Sequence, residues 1–122
     1  MSEKENKAVI QRWIEARNTD DVEAAVAQWA DDWQDRIRKS FSAFTEGFSG
    51  IQITLQELVA EGDRVGVWWT FHATHRGAFA GVPATGKTIE YRGVDLYTVT
   101  DGKIASIRRV GDSLKDVLLA SQ

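Results

Sequence analysis

The chain has 122 residues, enough for one domain with a core of its own. Its net charge of -3 argues against a nucleic-acid partner, and the absence of cysteine removes disulfides, zinc–thiolate sites and thiol nucleophiles. No segment approaches the ~20 apolar residues of a membrane span, and the charged start, Ser2 to Lys7, lacks the apolar stretch of a signal peptide; the expected location is the cytoplasm.

Apolar spacing is helical up to about Phe48 and strand-like from Ile51 to Val110. The first helix is predicted over about Glu3 to Arg17, with Val9, Ile10, Trp13 and Ile14 as its apolar stripe. Asn18-Thr19-Asp20 breaks it. Asp20 followed three residues later by Glu23 predicts a capped second helix that buries Val22, Ala25, Val26 and Trp29 and ends near Asp31-Asp32. A third helix is expected from about Asp35 to Phe48, because Ile37, Phe41, Phe44 and Phe48 recur at helical spacing. Its basic run, Arg36-Ile37-Arg38-Lys39, reads as a solvated face. Gly47 and Gly50 supply the stop.

Four strands follow. Ile51, Ile53 and Leu55 alternate with polar residues, and Glu61-Gly62-Asp63-Arg64 predicts a hairpin turn. In the next strand, about Arg64 to His75, Val65, Val67, Trp69, Phe71 and Ala73 share one face. Trp68, Thr70, His72 and Thr74 share the other. A glycine-rich loop, Arg76 to Thr85, leads to a long strand over about Lys87 to Thr100. Asp101-Gly102 is a hairpin signal, and the last strand covers about Lys103 to Val110. A short helix over Leu114 to Leu119 is capped by Asp112 or Ser113.

Helices first and strands later predict an α+β fold rather than alternating βαβ units. Helices on one side of a long twisted sheet make it curl into a cone with one internal pocket. The expected organisation is a single domain, residues 1–122: helices over 3–48, sheet over 51–110, and a short helix over 113–120. Five tryptophans and five phenylalanines suit either a cavity wall or a filled core.

The second half carries a recognisable series: Leu58 to Val65, Thr74 to Lys87 (THRGAFAGVPATGK), Tyr91-Arg92-Gly93-Val94-Asp95, and Asp101-Gly102-Lys103-Ile104. It resembles the SnoaL-like polyketide cyclase (ester cyclase) family of the nuclear-transport-factor-2-like superfamily. The match covers about Leu58 to Leu119, with the helical start more loosely alike. The resemblance implies a cone-shaped α+β barrel and cofactor-free, metal-free aldol closure of a polyketide ester. It also implies a carboxylate on the last strand as acid/base and a histidine on the strand before it. This chain carries Arg109 and Asp95 at those positions. It is also shorter than the family pattern between Asp32 and Phe41, so the pocket is expected to be more open or closed by a partner chain.

Asp95 should face Arg108 across a strict two-residue turn, or Arg109 across a bulged one. One reading of the pair is a structural ion pair. The other is chemistry, with Asp95 as acid/base, Arg109 as oxyanion partner and His75, on the Trp69 face, as auxiliary. Trp13, Trp29, Trp69, Phe71 and Tyr91 are the expected pocket walls. His72 and His75 point to opposite faces, so they do not form a metal pair. The leading function is a cofactor-free cyclase or isomerase on an apolar polyketide-like or cyclic carbonyl compound. The alternatives are a non-catalytic ligand-binding domain that has lost the acid, and a homodimeric scaffold using the outer sheet face around Trp68.

Overall fold

Ser2 opens the first helix. In the computed structural model, which describes residues 2–122, the Ser2 hydroxyl accepts the Glu5 N–H and the Glu5 carboxylate accepts the Ser2 N–H. This reciprocal cap starts α1 (Glu3–Asn18), and the predicted stripe of Val9, Ile10, Trp13 and Ile14 is buried. α1 is tied to the sheet at both ends. Asn6 Nδ2 donates to the Gly62 carbonyl at 3.2 Å, while Asn18 accepts the Ile53 N–H at 2.7 Å and donates to the Ile53 carbonyl at 2.9 Å. These ties fix Trp13 and, one turn later, Arg17 beneath the strands.

The second helix departs from expectation. α2 covers only Val22–Val26, and its cap is Asp21 rather than Asp20: the Asp21 carboxylate accepts the Ala24 N–H at 3.1 Å. Asp20 instead takes φ +56 as the chain reverses, a conformation aspartate tolerates better than most residues. Trp29 is buried but lies outside any helix. Its neighbours Gln28 and Ala30 bond to Ile104, so this short segment runs parallel to the start of the last strand. A 3-10 turn at Asp31–Trp33 leads into α3 (Gln34–Gly47).

Phe48 is the second correction. Helical spacing assigns it to the third helix, but it begins β1 (Phe48–Glu61) and pairs with His75. β2 (Arg64–His75), β3 (Thr88–Thr100) and β4 (Lys103–Gly111) complete an antiparallel sheet of order β1-β2-β3-β4. The α+β class and the antiparallel sheet are therefore as expected. Alternation in β2 also holds: Val65, Val67, Trp69, Phe71 and Ala73 are buried, while Trp68 and His72 are exposed. Register shifts at Ser49/Gln52 and Leu55/Glu57 in β1, and between Thr98 and Val99 on the β3–β4 ladder, bend the outer strands. α4 (Leu114–Ala120) is capped by Ser113, which accepts the Asp116 N–H at 3.3 Å. Asp112 does not cap it; the Asp112 carboxylate accepts the Arg92 N–H at 3.3 Å instead. No helix among the described residues is long and apolar enough to cross a membrane.

The core is aromatic from end to end. At one end Phe44, Phe48, Phe71 and Phe79 pack on one another with ring centroids 4.9–5.9 Å apart. At the other, Trp29 meets Trp13, Trp33 and Tyr97 at 5.1–6.3 Å.

Candidate functional site

The site is set by the β3–β4 hairpin. Asp101 and Gly102 have φ of +50 and +78, the left-handed pair that the commonest tight hairpin turn requires. Pairing then runs Thr100 with Lys103 and Val99 with Ile104. Ala105 is an extra residue, and Thr98 pairs with Ser106. This bulge brings Arg109, not Arg108, opposite Asp95. Trp33 holds it in place, its indole N–H donating to the Ala105 carbonyl at 2.9 Å.

Asp95 is 1% exposed and accepts three hydrogen bonds. Arg109 Nε donates to Oδ1 at 2.7 Å, Arg109 Nη2 to Oδ2 at 3.0 Å, and the Tyr97 hydroxyl to Oδ2 at 2.8 Å. Trp13 Nε1 donates in turn to the Tyr97 oxygen at 3.2 Å, which links α1 to the carboxylate. Burial alone would make the Arg109 guanidinium easier to deprotonate, but the hydrogen bonds and charge of Asp95 outweigh it and hold its pKa above the ordinary arginine value. Burial, reinforced by the Asp95 charge, raises Tyr97 well above the usual phenol range, so its hydroxyl stays a donor. The Arg109 head group also lies 5.1 Å from the Trp69 ring centroid. Trp69 can lie there because β3 carries Gly93: a Cβ at that position would be 2.7 Å from the Trp69 ring.

Two spaces meet at this pair. An inner void of about 10 Å³, room for about one water, is bounded by Asp95, Arg109, Arg17, Trp69, Phe71 and Tyr91. A larger open cavity of about 250 Å³ lies between α1, α3 and β4, with Trp13, Trp29, Trp33, Arg17, Arg36 and Arg109 in its wall. Arg17 and Arg109 belong to both and separate them.

The structure thus brings Asp95, Arg109, Trp69, Phe71 and Tyr91 together at the inner void, and Trp13 and Trp29 at the larger cavity. His75 is not brought to them. It is fully buried at the phenylalanine end, where its Nδ1 accepts the Thr85 N–H at 3.2 Å and its ring packs 5.4 Å from Phe48. Among the described residues, no three histidine or acidic side chains gather as metal ligands would.

Sequence reasoning missed Arg17, Trp33, Arg36, Phe41 and Phe44 in the larger cavity. A signal for Arg17 existed. It stands seven residues after Ile10 and four after Trp13, so it continues the apolar stripe of α1 as a charge. It lies over the rings of Trp13 and Phe44, at 5.3 and 5.0 Å.

The chain is similar over nearly its whole length to solved structures with this architecture. AclR, a candidate hydroxylase from Streptomyces galilaeus, is 25% identical with a TM-score of 0.85, covering 98% of this chain and 97% of that one. A candidate SnoaL-like polyketide cyclase from Jannaschia sp. CCS1 is 20% identical with a TM-score of 0.82, over 97% and 89%. IdmH of Streptomyces antibioticus, a candidate polyketide cyclase, is 24% identical with a TM-score of 0.76, over 95% and 96%. Curated protein sequences contain no match. The family model for SnoaL-like polyketide cyclases matches residues 7–117, which takes in the helical start as well as the hairpins. With the helix-lined cavity, the antiparallel sheet and that match together, the chain belongs to the SnoaL-like polyketide cyclase family and has its nuclear-transport-factor-2-like fold.

Proposed function

We propose that this protein is a cofactor-free cyclase or isomerase that moves a proton next to a carbonyl group of a small polyketide-like or cyclic substrate. One observation carries the reading: a buried carboxylate, Asp95, stands beside Arg109 where the inner void meets the larger cavity. Asp95 takes the proton, and Arg109 holds the enolate oxygen that develops. Both carboxylate oxygens are already occupied by the hydrogen bonds from Arg109 and Tyr97. Substrate entry therefore has to draw Arg109 off Asp95 and onto the carbonyl oxygen. The Arg109 side chain, 42% exposed, has room to turn. His75 acts here only through the loop it anchors. The test is exchange of the acidic C–H protons of 2-tetralone in heavy water, followed by NMR. Wild type is expected to accelerate exchange, and Asp95→Asn to lower the rate by about a hundredfold or more. An unchanged rate in Asp95→Asn overturns the acid/base assignment.

A second reading, ligand binding without turnover, is favoured by the same saturated ion pair. Binding with no exchange in wild type would select it.

We also propose a homodimer through the outer face of the sheet. Trp68, Val94 and Val110 form one cross-strand row there and are 45%, 51% and 76% exposed, with the exposed His72 further along the same face. Sedimentation should show a dimer that Trp68→Glu dissociates; a monomer at high concentration removes the idea. Residues 1–122 are proposed to melt as one unit, and the lack of cysteine suits the reducing cytoplasm.

A further inference from the structure

We infer that the larger cavity selects flat aromatic ligands bearing a carboxylate, and that Arg17 is the residue that reads the charge. The inference rests on that cavity being the ligand site. Among the described residues, its side chains offer hydrogen-bond donors almost without acceptors: three arginines line it, no acidic side chain does, and Ser40 supplies the only hydroxyl. The chain as a whole is acidic, at -3, so this concentration of positive charge is local.

The three arginines are not equivalent. Arg109 is already neutralised by Asp95, and the remaining ion pair among the described residues joins Arg38 to Glu23. Arg17 and Arg36 have no carboxylate partner among the described residues. Arg36 lies over the Trp33 ring at 4.3 Å, at the exposed rim. Arg17 is deeper, half-buried between the rings of Trp13 and Phe44, and burial lowers its pKa because the cation is poorly solvated there. Aromatic faces compensate a cation only in part, and a bound carboxylate would complete the compensation. The indole faces suit a flat ring. A volume of about 250 Å³ sits just below the ~300–1,000 Å³ usual for ligand pockets, which favours a one- or two-ring body.

The test compares 2-naphthoate with 2-naphthamide, equal in shape but not in charge, by titration calorimetry on the whole protein. Wild type should bind the carboxylate about tenfold tighter or more, with the margin shrinking as salt is raised. Arg17→Gln should bring the two affinities together, and Arg17→Lys should keep part of the preference, with circular dichroism confirming the fold of both. Equal affinities in wild type overturn the proposal, as does a preference that survives Arg17→Gln. Silence from both probes sinks the cavity as a ligand site. Should Arg17→Gln fail to fold, the wild-type ratio and its salt dependence still decide. These probes read binding and the 2-tetralone assay reads proton exchange, so this inference and the proton-transfer reading fail separately.

Discussion

The two ends of the core are both aromatic, yet they make different demands on their surroundings. The phenylalanine end is closed: Phe48 and Phe71 are 2% and 1% exposed, the loop after β2 is fastened over them by the bonds between Thr85 and His75, and the unpartnered His75 Nε2 is sealed in with them. The tryptophan end carries N–H groups that must find acceptors. Trp13 finds Tyr97 and Trp33 finds Ala105, while Trp29 finds none. Phe44 touches both ends, packing on Phe48 and lying under Arg17. A core that fills with phenylalanine is finished by folding. A core that ends in an open cavity with a half-buried cation in its wall leaves room for a ligand.

The sharpest way to break this contrast is truncation at each end. Phe48→Ala should cost about 3–5 kcal/mol in urea denaturation, the usual cost of emptying a well-packed aromatic site. Trp33→Ala, at a half-buried rim position, should cost less than about 2 kcal/mol. Equal losses would mean that the tryptophan end is as closed as the other.

The ion pair gives the next largest effect, and an asymmetric one. Arg109→Met leaves Asp95 buried without its counter-charge and should cost about 3 kcal/mol. Asp95→Asn should cost less, because the half-exposed Arg109 turns to water. Thermal denaturation of the two variants measures the order, and the reverse order would show that Arg109 is the group unable to find solvent.

At the closed end, Thr85→Val removes the hydroxyl that His75 faces and should cost about 1 kcal/mol. The smallest effect lies on the surface. Arg38 lowers the Glu23 pKa, first through its hydrogen bond and then through its charge. A folded-state pKa below the unfolded one contributes stability above the ordinary glutamate value of ~4.3 and loses it as pH falls through the folded pKa. Glu23→Gln should therefore flatten a small acid-side step in stability. No change in the pH profile would assign this exposed pair no role.

The sheet was legible in the sequence because alternation in β2 and β3 is long and is punctuated by turn residues, and its inner face followed from Val65, Val67, Trp69 and Phe71 alone. Element ends were less legible, for physical reasons. Asp20 and Asp21 are both good caps, and only the left-handed turn at Asp20 decides between them. Phe48 satisfies a helical spacing and a strand alternation at once, and pairing with His75 decides. In the site, Asp95 and Arg109 were found from strand order and family resemblance. The α3 side of the larger cavity was not, because Arg36 reads locally as part of a solvated helix face and Trp33 falls between the expected second and third helices. Their meaning comes from β4, which is distant in the chain.

The bulge at Ala105 has one more consequence. Arg108 and Arg109 stand side by side, so a hairpin zipped without the bulge would offer Asp95 an arginine all the same. The ion pair is thus a degenerate code: it is satisfied by two registers and selects neither. Selection falls to the segment from Gln28 to Trp33, which binds Ile104 and the bulge carbonyl and so fits one register only. A stretch with little regular structure of its own serves as the proofreader of the strand it lies against.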